Sequence, residues 1–306
     1  MIDKLKAWTQ WRLHVAKDRS TRLRWHAANL ADVAGPVETA PTLTLVVVGR
    51  NDNYGGDFQG RLRTTLEWNL QYPFAEAIYV EWNPLPDRPS DAPWLVERHP
   101  QLKVYVVPPE RHKRCCTNPS MPLMEYFAKN VGLRRATSDF ICLVNADVLI
   151  GPDVFPRLAR LRRDRYYGTH NINIRWHGRS IAPEDLKTHV LWEFSAKPYL
   201  FSVVGDFILA HRECWHRARG YDESLTDKRN YCDNHGAAQL YALGARPRIL
   251  GMHYHLDHPE SCRNATFAHQ GAEFDPWTGI PYANGDDWGQ GDAIERQIGE
   301  RTWMLE

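Results

Sequence analysis

Four short apolar runs set the terms for how this chain can fold: Leu43-Thr-Leu-Val-Val-Val-Gly49, Ala77-Ile-Tyr-Val-Glu81, Leu102-Lys-Val-Tyr-Val-Val107 and Phe140-Ile-Cys-Leu-Val144. Each places β-branched and aliphatic residues on successive positions, the pattern of a strand buried on both faces of a parallel sheet. The intervals between them have room for helices, the first from Arg61 to Tyr72. Strands and helices alternating at this spacing imply βαβ units, hence an α/β fold with a mostly parallel central sheet flanked by helices. Such sheets bind ligands at the carboxyl ends of their strands, so chemistry is to be sought in the residues that follow each run.

Those residues are polar: Arg50-Asn51-Asp52 after the first run, Glu81-Trp82-Asn83 at the second, Asn145-Ala146-Asp147 after the fourth. No Gly-x-Gly-x-x-Gly or Walker loop is present, so dinucleotide and ATP-type phosphate cradles lack support. A divalent cation held by a carboxylate can take their place, bridging phosphate oxygens and offsetting their charge. Asp147, a hard carboxylate at a strand end, suits Mg²⁺ or Mn²⁺; its alternative role is to cap the turn that Gly151-Pro152-Asp153 opens. A second source of ligands is Met252-His253-Tyr-His255-Leu-Asp257-His258, after an apparent strand at Arg248–Met252. Imidazole can complete the coordination of Mn²⁺. Strand alternation points His253 and His255 the same way, and His258 could join them from a turn. Each also has a plain alternative as a hydrogen-bonded structural histidine.

Composition narrows the function classes. With 38 Lys and Arg against 37 Asp and Glu, the net charge of +1 supplies no global field toward nucleic acid. The six cysteines contain no Cys-x-x-Cys pair, which argues against a zinc knuckle or a disulfide scaffold. No run approaches the ~18 apolar residues of a membrane span, and the first residues are charged, so a cytoplasmic location is the default. Residues 1–40 read as an amphipathic helical extension and linker, basic enough to touch the inner face of a membrane peripherally or to mediate self-association, though packing on its own protein is the more ordinary use. Residues 41–258 read as the core, in two halves (41–150 and 151–258). Residues 259–306 form a tail expected to fold back as a lid over the second half, with a short helix at Ala293–Arg301.

Leu143-Val-Asn-Ala-Asp147-Val resembles the Asp-x-Asp motif of GT-A fold glycosyltransferases, particularly the inverting family 2 and its relatives. Three further matches follow in the family's order. Lys129-Asn130-Val-Gly132 with Ala136 and Asp139-Phe-Ile is similar to the helix that leads into the metal-binding strand. Gly205-Asp206-Phe-Ile-Leu-Ala-His-Arg, then Trp215 and Gly220-Tyr-Asp222-Glu223, resembles the strand and Gly-Phe-Asp-Glu segment of the acceptor half. Asp233 precedes Gly244 by eleven residues, the interval of the family's catalytic helix. The sequence departs from the pattern at Asn145 for the first metal-motif Asp, at Cys232 for the Glu before the catalytic Asp, at His235 for the second Asp and at Gln239 for a common Arg. Tyr-Val-Glu-Trp-Asn at the second run also resembles the exostosin-like retaining enzymes.

The resemblance implies a Rossmann-like GT-A fold and transfer of a sugar from a nucleotide diphosphate sugar, UDP-linked or GDP-linked, to a hydroxyl acceptor such as a glycan. It implies Asp52 and Glu81 as partners of the base and ribose, with Arg50, Asn130 and Asn145 also on the donor side. Asp147 would bind the metal with a histidine after the last core strand, His255 first and His253 next. Asp233 would be the general base, or else a helix N-cap; Asp206 and Glu223 are further acceptor-side candidates. Arg111-His-Lys-Arg114 could steady the diphosphate, and the arginines from Arg157 to Arg165 read as the solvated face of a helix. Three other readings stay open: a nucleotidyltransferase, a catalytically inactive sugar-nucleotide or glycan-binding module, and a metallohydrolase built on the histidine cluster.

Overall fold

A computed structural model describes residues 40–188, 190–194, 205–229, 231–259 and 277–306. The four apolar runs form β1 (Leu43–Gly49), β2 (Glu76–Trp82), β3 (Leu102–Val107) and β4 (Phe140–Val144), all parallel and in the spatial order 3-2-1-4. Between them run α1 (Phe58–Asn69), α2 (Ala92–Arg98), α3 (Pro109–Cys115) and α4 (Glu125–Arg135). Past β4 the chain adds β5 (Val148–Ile150), β6 (Arg165–Ile174), β7 (Val190–Phe194), β8 (Phe207–His211), α5 (Arg212–Ala218), α6 (Cys232–Ala242) and β9 (Arg246–Leu256). Here the sheet turns mixed: β8 lies antiparallel to β4 and to β6, β9 runs parallel to β6, and β5 pairs antiparallel with β9.

Every residue of β1, β2 and β4 is buried, as continuous apolar runs require, and alternation divides them between two cores. Val46, Val48, Ile78 and Val80 face α4, α5 and α6, whereas Leu45, Val47, Ala77 and Tyr79 face α1 and α2. Leu62 and Leu66 of α1 are fully buried, each contributing ~1.5–3 kcal/mol of apolar transfer. Helix α4 approaches β1 so closely at Gly132 that a Cβ there would stand 2.4 Å from Val46 Cγ1. No helix among the described residues is long and apolar enough to cross a membrane.

The N-terminal amphipathic extension, and with it the membrane or self-association contact, falls on residues 1–39, outside the described residues. The tail from 277 packs against residues of α5 and α6 and the loop between them. Tyr282 stacks on His235 with centroids 4.9 Å apart and exchanges hydrogen bonds with the Gln239 side chain, while Asn284 bonds the backbone of Arg219, Tyr221 and Glu223. Its end corrects the expectation of a helix at Ala293–Arg301. That segment instead starts a hairpin of β10 (Glu295–Gly299) and β11 (Thr302–Leu305), and β11 joins the sheet parallel to β3. The deciding contacts are tertiary: Trp303 stacks on Tyr105, and Leu305 is fully buried. The arginines from Arg157 to Arg165 likewise share no helix, since a single 3₁₀ turn (Phe155–Arg157) leads into loop and Arg165 opens β6.

Candidate functional site

The order 3-2-1-4 creates a switch point between β1 and β4, and a cleft of about 290 Å³ lies at their carboxyl ends. Two antiparallel pairings carry distant segments to it. Val144 pairs with Phe207 across β4 and β8, placing Asn145 beside Asp206, and Val148 pairs with His255 across β5 and β9, placing Asp147 beside the histidine segment. Helix α6 delivers Asp233 from the far side. Its N-cap is Tyr231, in the left-handed region at φ 63°, so Asp233 lies inside the first turn and lines the cleft instead of capping the helix.

Asp147, His255 and His258 form one cluster whose ligand atoms all lie within 4.8 Å of one another. His258 Nε2 stands 3.2 Å from Asp147 Oδ2, and His255 Nε2 3.7 Å from Oδ1. At these spacings the three side chains could together hold one divalent ion. A carboxylate with two imidazoles suits Mn²⁺ better than Mg²⁺, and all three residues are buried. Burial alone would raise the Asp147 pKa, but the charges of His255, His258 and Arg61 and the His258 hydrogen bond hold it below the usual carboxylate range. The donor set fits a divalent ion. The expectation that His253 would be the next ligand is corrected. It pairs with Ile150, two positions further along β5, and there bonds Thr169 Oγ1 (2.7 Å) and Asp206 Oδ2 (3.3 Å).

A chain of polar contacts runs along the floor of the cleft. Lys129, with no exposed side-chain surface, donates from Nζ to Glu125 Oε1 (2.6 Å), Asn145 Oδ1 (2.9 Å) and the Gly205 carbonyl (2.9 Å). Asn145 Nδ2 donates in turn to Asp206 Oδ1 (3.1 Å), and Asp206 Oδ2 also accepts from Asn171 Nδ2 (2.6 Å). Against the effect of burial, the His253 hydrogen bond and the charges of His253, His255 and Lys129 hold Asp206 well below the usual carboxylate range. Asp233 responds oppositely. Burial raises it to about 6, only partly countered by the Asn234 N–H and the Lys129 charge, giving a carboxyl poised near neutrality at the cleft wall. Gly205 lets that carboxylate approach, since a Cβ there would lie 2.9 Å from Asp233 Oδ2.

At the β1 end of the cleft Arg50 and Asp52 line the wall, paired at 2.9 Å, with Arg50 Nε also donating to the Asn83 carbonyl. Other donor-side expectations are corrected. Glu81 is fully buried behind the cleft wall, where it accepts from Ser90 Oγ and Asp91 N, and burial raises it to about 7. Asn130, also fully buried, uses its amide on both backbone groups of Tyr221 and on Glu223. Glu223 is thereby turned from the cleft and accepts from Gly289 N as well. Arg111 binds the tail, with Nη1 2.7 Å from Asp292 and Nη2 2.6 Å from the Glu306 carbonyl, so it anchors β11 and not a diphosphate.

Several residues in the cleft or buried beneath it carry no role in the sequence pattern. Arg61 is 1% exposed, donates to the carbonyls of Tyr54, Gly55 and Gly56, and brings Nε within 3.9 Å of Asp147. Its signal was positional: it shares the apolar face of α1 with Phe58, Leu62 and Thr65. Tyr54 packs edge-on against His258 at 5.2 Å, and Arg229 reaches Tyr54 OH at 3.3 Å. Lys129 stood inside a recognised motif without a role.

No family model matches the chain, and no curated protein matches it by sequence. Solved structures do. GalNAc-T7, determined with UDP, GalNAc and Mn²⁺, superposes over 76% of this chain with a TM-score of 0.52 at 13% identity; the match spans 46% of that chain, less than half of its length. A mannosyltransferase from Pyrobaculum calidifontis with GDP-Man and Mn²⁺ gives 0.46 at 16% identity, covering 79% of this chain and 66% of the other. S. aureus TarS residues 1–349 give 0.45 at 14%, covering 72% and 61%. The first of these, with the strand order above, establishes the fold as GT-A.

Proposed function

We propose that this chain transfers a sugar from a nucleotide diphosphate sugar, UDP-linked by preference and GDP-linked as the alternative, to a hydroxyl acceptor such as a glycan. The observation that carries the reading is the Asp147, His255 and His258 cluster in the same cleft as an Asp233 poised near neutrality, at the switch point of a GT-A sheet. A divalent ion bound to the cluster would supply the charge that stabilises the departing diphosphate. Arg50 and Asp52, on the cleft wall, would contact the nucleoside. Asp233 takes the proton of the acceptor hydroxyl as its oxygen forms the new bond to the anomeric carbon and the bond to the diphosphate breaks, which favours inversion. Asn145 serves this site as a hydrogen-bonding link between Lys129 and Asp206, not as a ligand of the ion.

The test is a thermal-shift panel of UDP-, GDP-, dTDP- and CMP-sugars with and without Mn²⁺, repeated on Asp147→Ala and His258→Ala. One nucleotide family should raise the melting temperature in an Mn²⁺-dependent way that both variants lose, by RT ln(1 + [L]/Kd) in free energy. No shift with any donor, or one indifferent to Mn²⁺ and to both substitutions, would refute the reading.

A further inference from the structure

Asp206 sits between the two ends of the proposed reaction. Its neighbour across the strand pair, Asn145, precedes Asp147 by two residues, and its neighbour in sequence, Gly205, lies against the Asp233 carboxylate. Asp147, Asp206 and Asp233 thus line one cleft, with Asp206 adjoining a neighbour of each of the other two. A carboxylate offers about four lone-pair sites. At Asp206, Oδ2 accepts from Asn171 and His253, and Oδ1 accepts from Asn145 alone among the described residues. The side chain lines the cleft and keeps 27% of its surface exposed. The donors that hold it are themselves fixed, Asn145 by Lys129 and His253 by Thr169. A carboxylate clamped by three neutral or cationic donors, with acceptor capacity left on the cleft side, is built to accept a hydrogen bond from a ligand and to repel an anionic one.

We infer that Asp206 determines sugar specificity, accepting a hydrogen bond from a free hydroxyl of the transferred ring, so that the donors are neutral glycosyl nucleotides and uronate forms are rejected. The inference rests on the glycosyltransferase reading and is tested so that the two fail separately. For wild type, Asp206→Ala and the shape-preserving Asp206→Asn, Kd values with Mn²⁺ are measured by calorimetry for UDP, UDP-glucose, UDP-galactose and UDP-glucuronate, and for GDP, GDP-mannose and GDP-glucose. Wild type should bind one neutral sugar nucleotide more tightly than its bare diphosphate; were UDP the preferred nucleotide, UDP-glucuronate would bind less tightly than its neutral counterpart. Both variants should lose about 10- to 100-fold of the sugar's added affinity, the range for a charge-assisted hydrogen bond, while keeping the Kd of the bare nucleotide. An unchanged sugar increment with intact nucleotide binding overturns the inference and leaves the glycosyltransferase reading standing. Loss of bare-nucleotide binding in both variants also overturns it, making Asp206 a scaffold residue. A wild type that binds none of these probes defeats both.

Discussion

Replacing Lys129 with methionine removes one ammonium and leaves the shape of the side chain nearly intact, which makes its consequences computable. Three acceptors lose their donor: Glu125 Oε1, Asn145 Oδ1 and the Gly205 carbonyl. Glu125 keeps 19% of its side chain exposed and can turn to water. Asn145 Oδ1 and the Gly205 carbonyl lie half-buried on the cleft against the Lys129 amine, so each loses toward the lower end of the ~1–3 kcal/mol that an unpaired buried acceptor costs. Relief of the desolvation of the buried ammonium returns part of that, so the net loss should be ~1 kcal/mol, a fall in urea midpoint of somewhat under ~0.5 M at a slope of ~2–3 kcal/mol/M. A second effect is electrostatic. The Lys129 charge partly counters the burial that raises Asp233 to about 6. Without it Asp233 must titrate higher, and because the base acts in its ionised form, the acidic limb of the transfer rate should move to higher pH. Urea titration and the pH dependence of kcat/KM, each with Lys129→Arg as the charge-preserving control, measure both effects. A methionine variant with an unmoved limb and wild-type stability would show that the amine organises nothing, and the account of the cleft floor would fall.

Asp233→Asn should cut transfer by about 10²- to 10⁴-fold while leaving Mn²⁺-dependent nucleotide binding unchanged, and wild-type transfer should rise with pH through about 6; an active variant would remove Asp233 as the base. Gly132→Ala drives a methyl to 2.4 Å from Val46 Cγ1 and should cost ~1–3 kcal/mol in equilibrium unfolding, with Val46→Ala recovering part of it in the double variant; additive losses would contradict the contact. Glu81, raised from 4.5 to about 7 by burial, holds its proton more tightly when folded, so it stabilises most fully below about 4.5 and loses that contribution as pH rises through about 7. Unfolding free energies measured from pH 5 to 8 should therefore show a decline that Glu81→Gln flattens, and parallel profiles would refute the assignment.

The parallel half of the sheet was legible because burial on two faces leaves an unbroken apolar signature, as β1, β2 and β4 do. Asp147 was legible for the same reason: it follows such a run by three residues. What the sequence could not show is which side chain faces the cleft at a strand end. Glu81 and Asp52 are alike in composition and position, yet the 85–91 segment folds over Glu81 and gives it Ser90 and Asp91 as partners, while Asp52 stays on the cleft. Among the histidines, alternation put His253 and His255 on one side, but the separation of two strand residues decided that His253 serves Asp206 and leaves the cluster to His258. His235 and Gln239 acquire a purpose that only tertiary contact reveals. His235 bonds Asp222 at 3.1 Å beneath the Tyr282 ring, and Gln239 holds the Tyr282 backbone, so both positions bind the tail. The hairpin at 295–305 was misread because Ala293–Arg301 carries helix-forming residues whose fate is settled by the edge of β3.

That edge bears on how the molecule survives its own folding. The partners Val104 and Thr302 lie about 200 residues apart, and the entropy of closing so long a loop makes their pairing a late event. Until it occurs, β3 presents a bare ladder of backbone donors and acceptors flanked by Val104, Tyr105 and Val106, the kind of border along which two incomplete chains can pair with each other. Once β11 docks, the exposed margin moves outward to β10, where Glu295, Arg296 and Gln297 stand in solvent. The tail thus exchanges an adhesive margin for a charged one, and chains lacking residues 295–306 should aggregate on refolding in proportion to their concentration while chains that keep them recover.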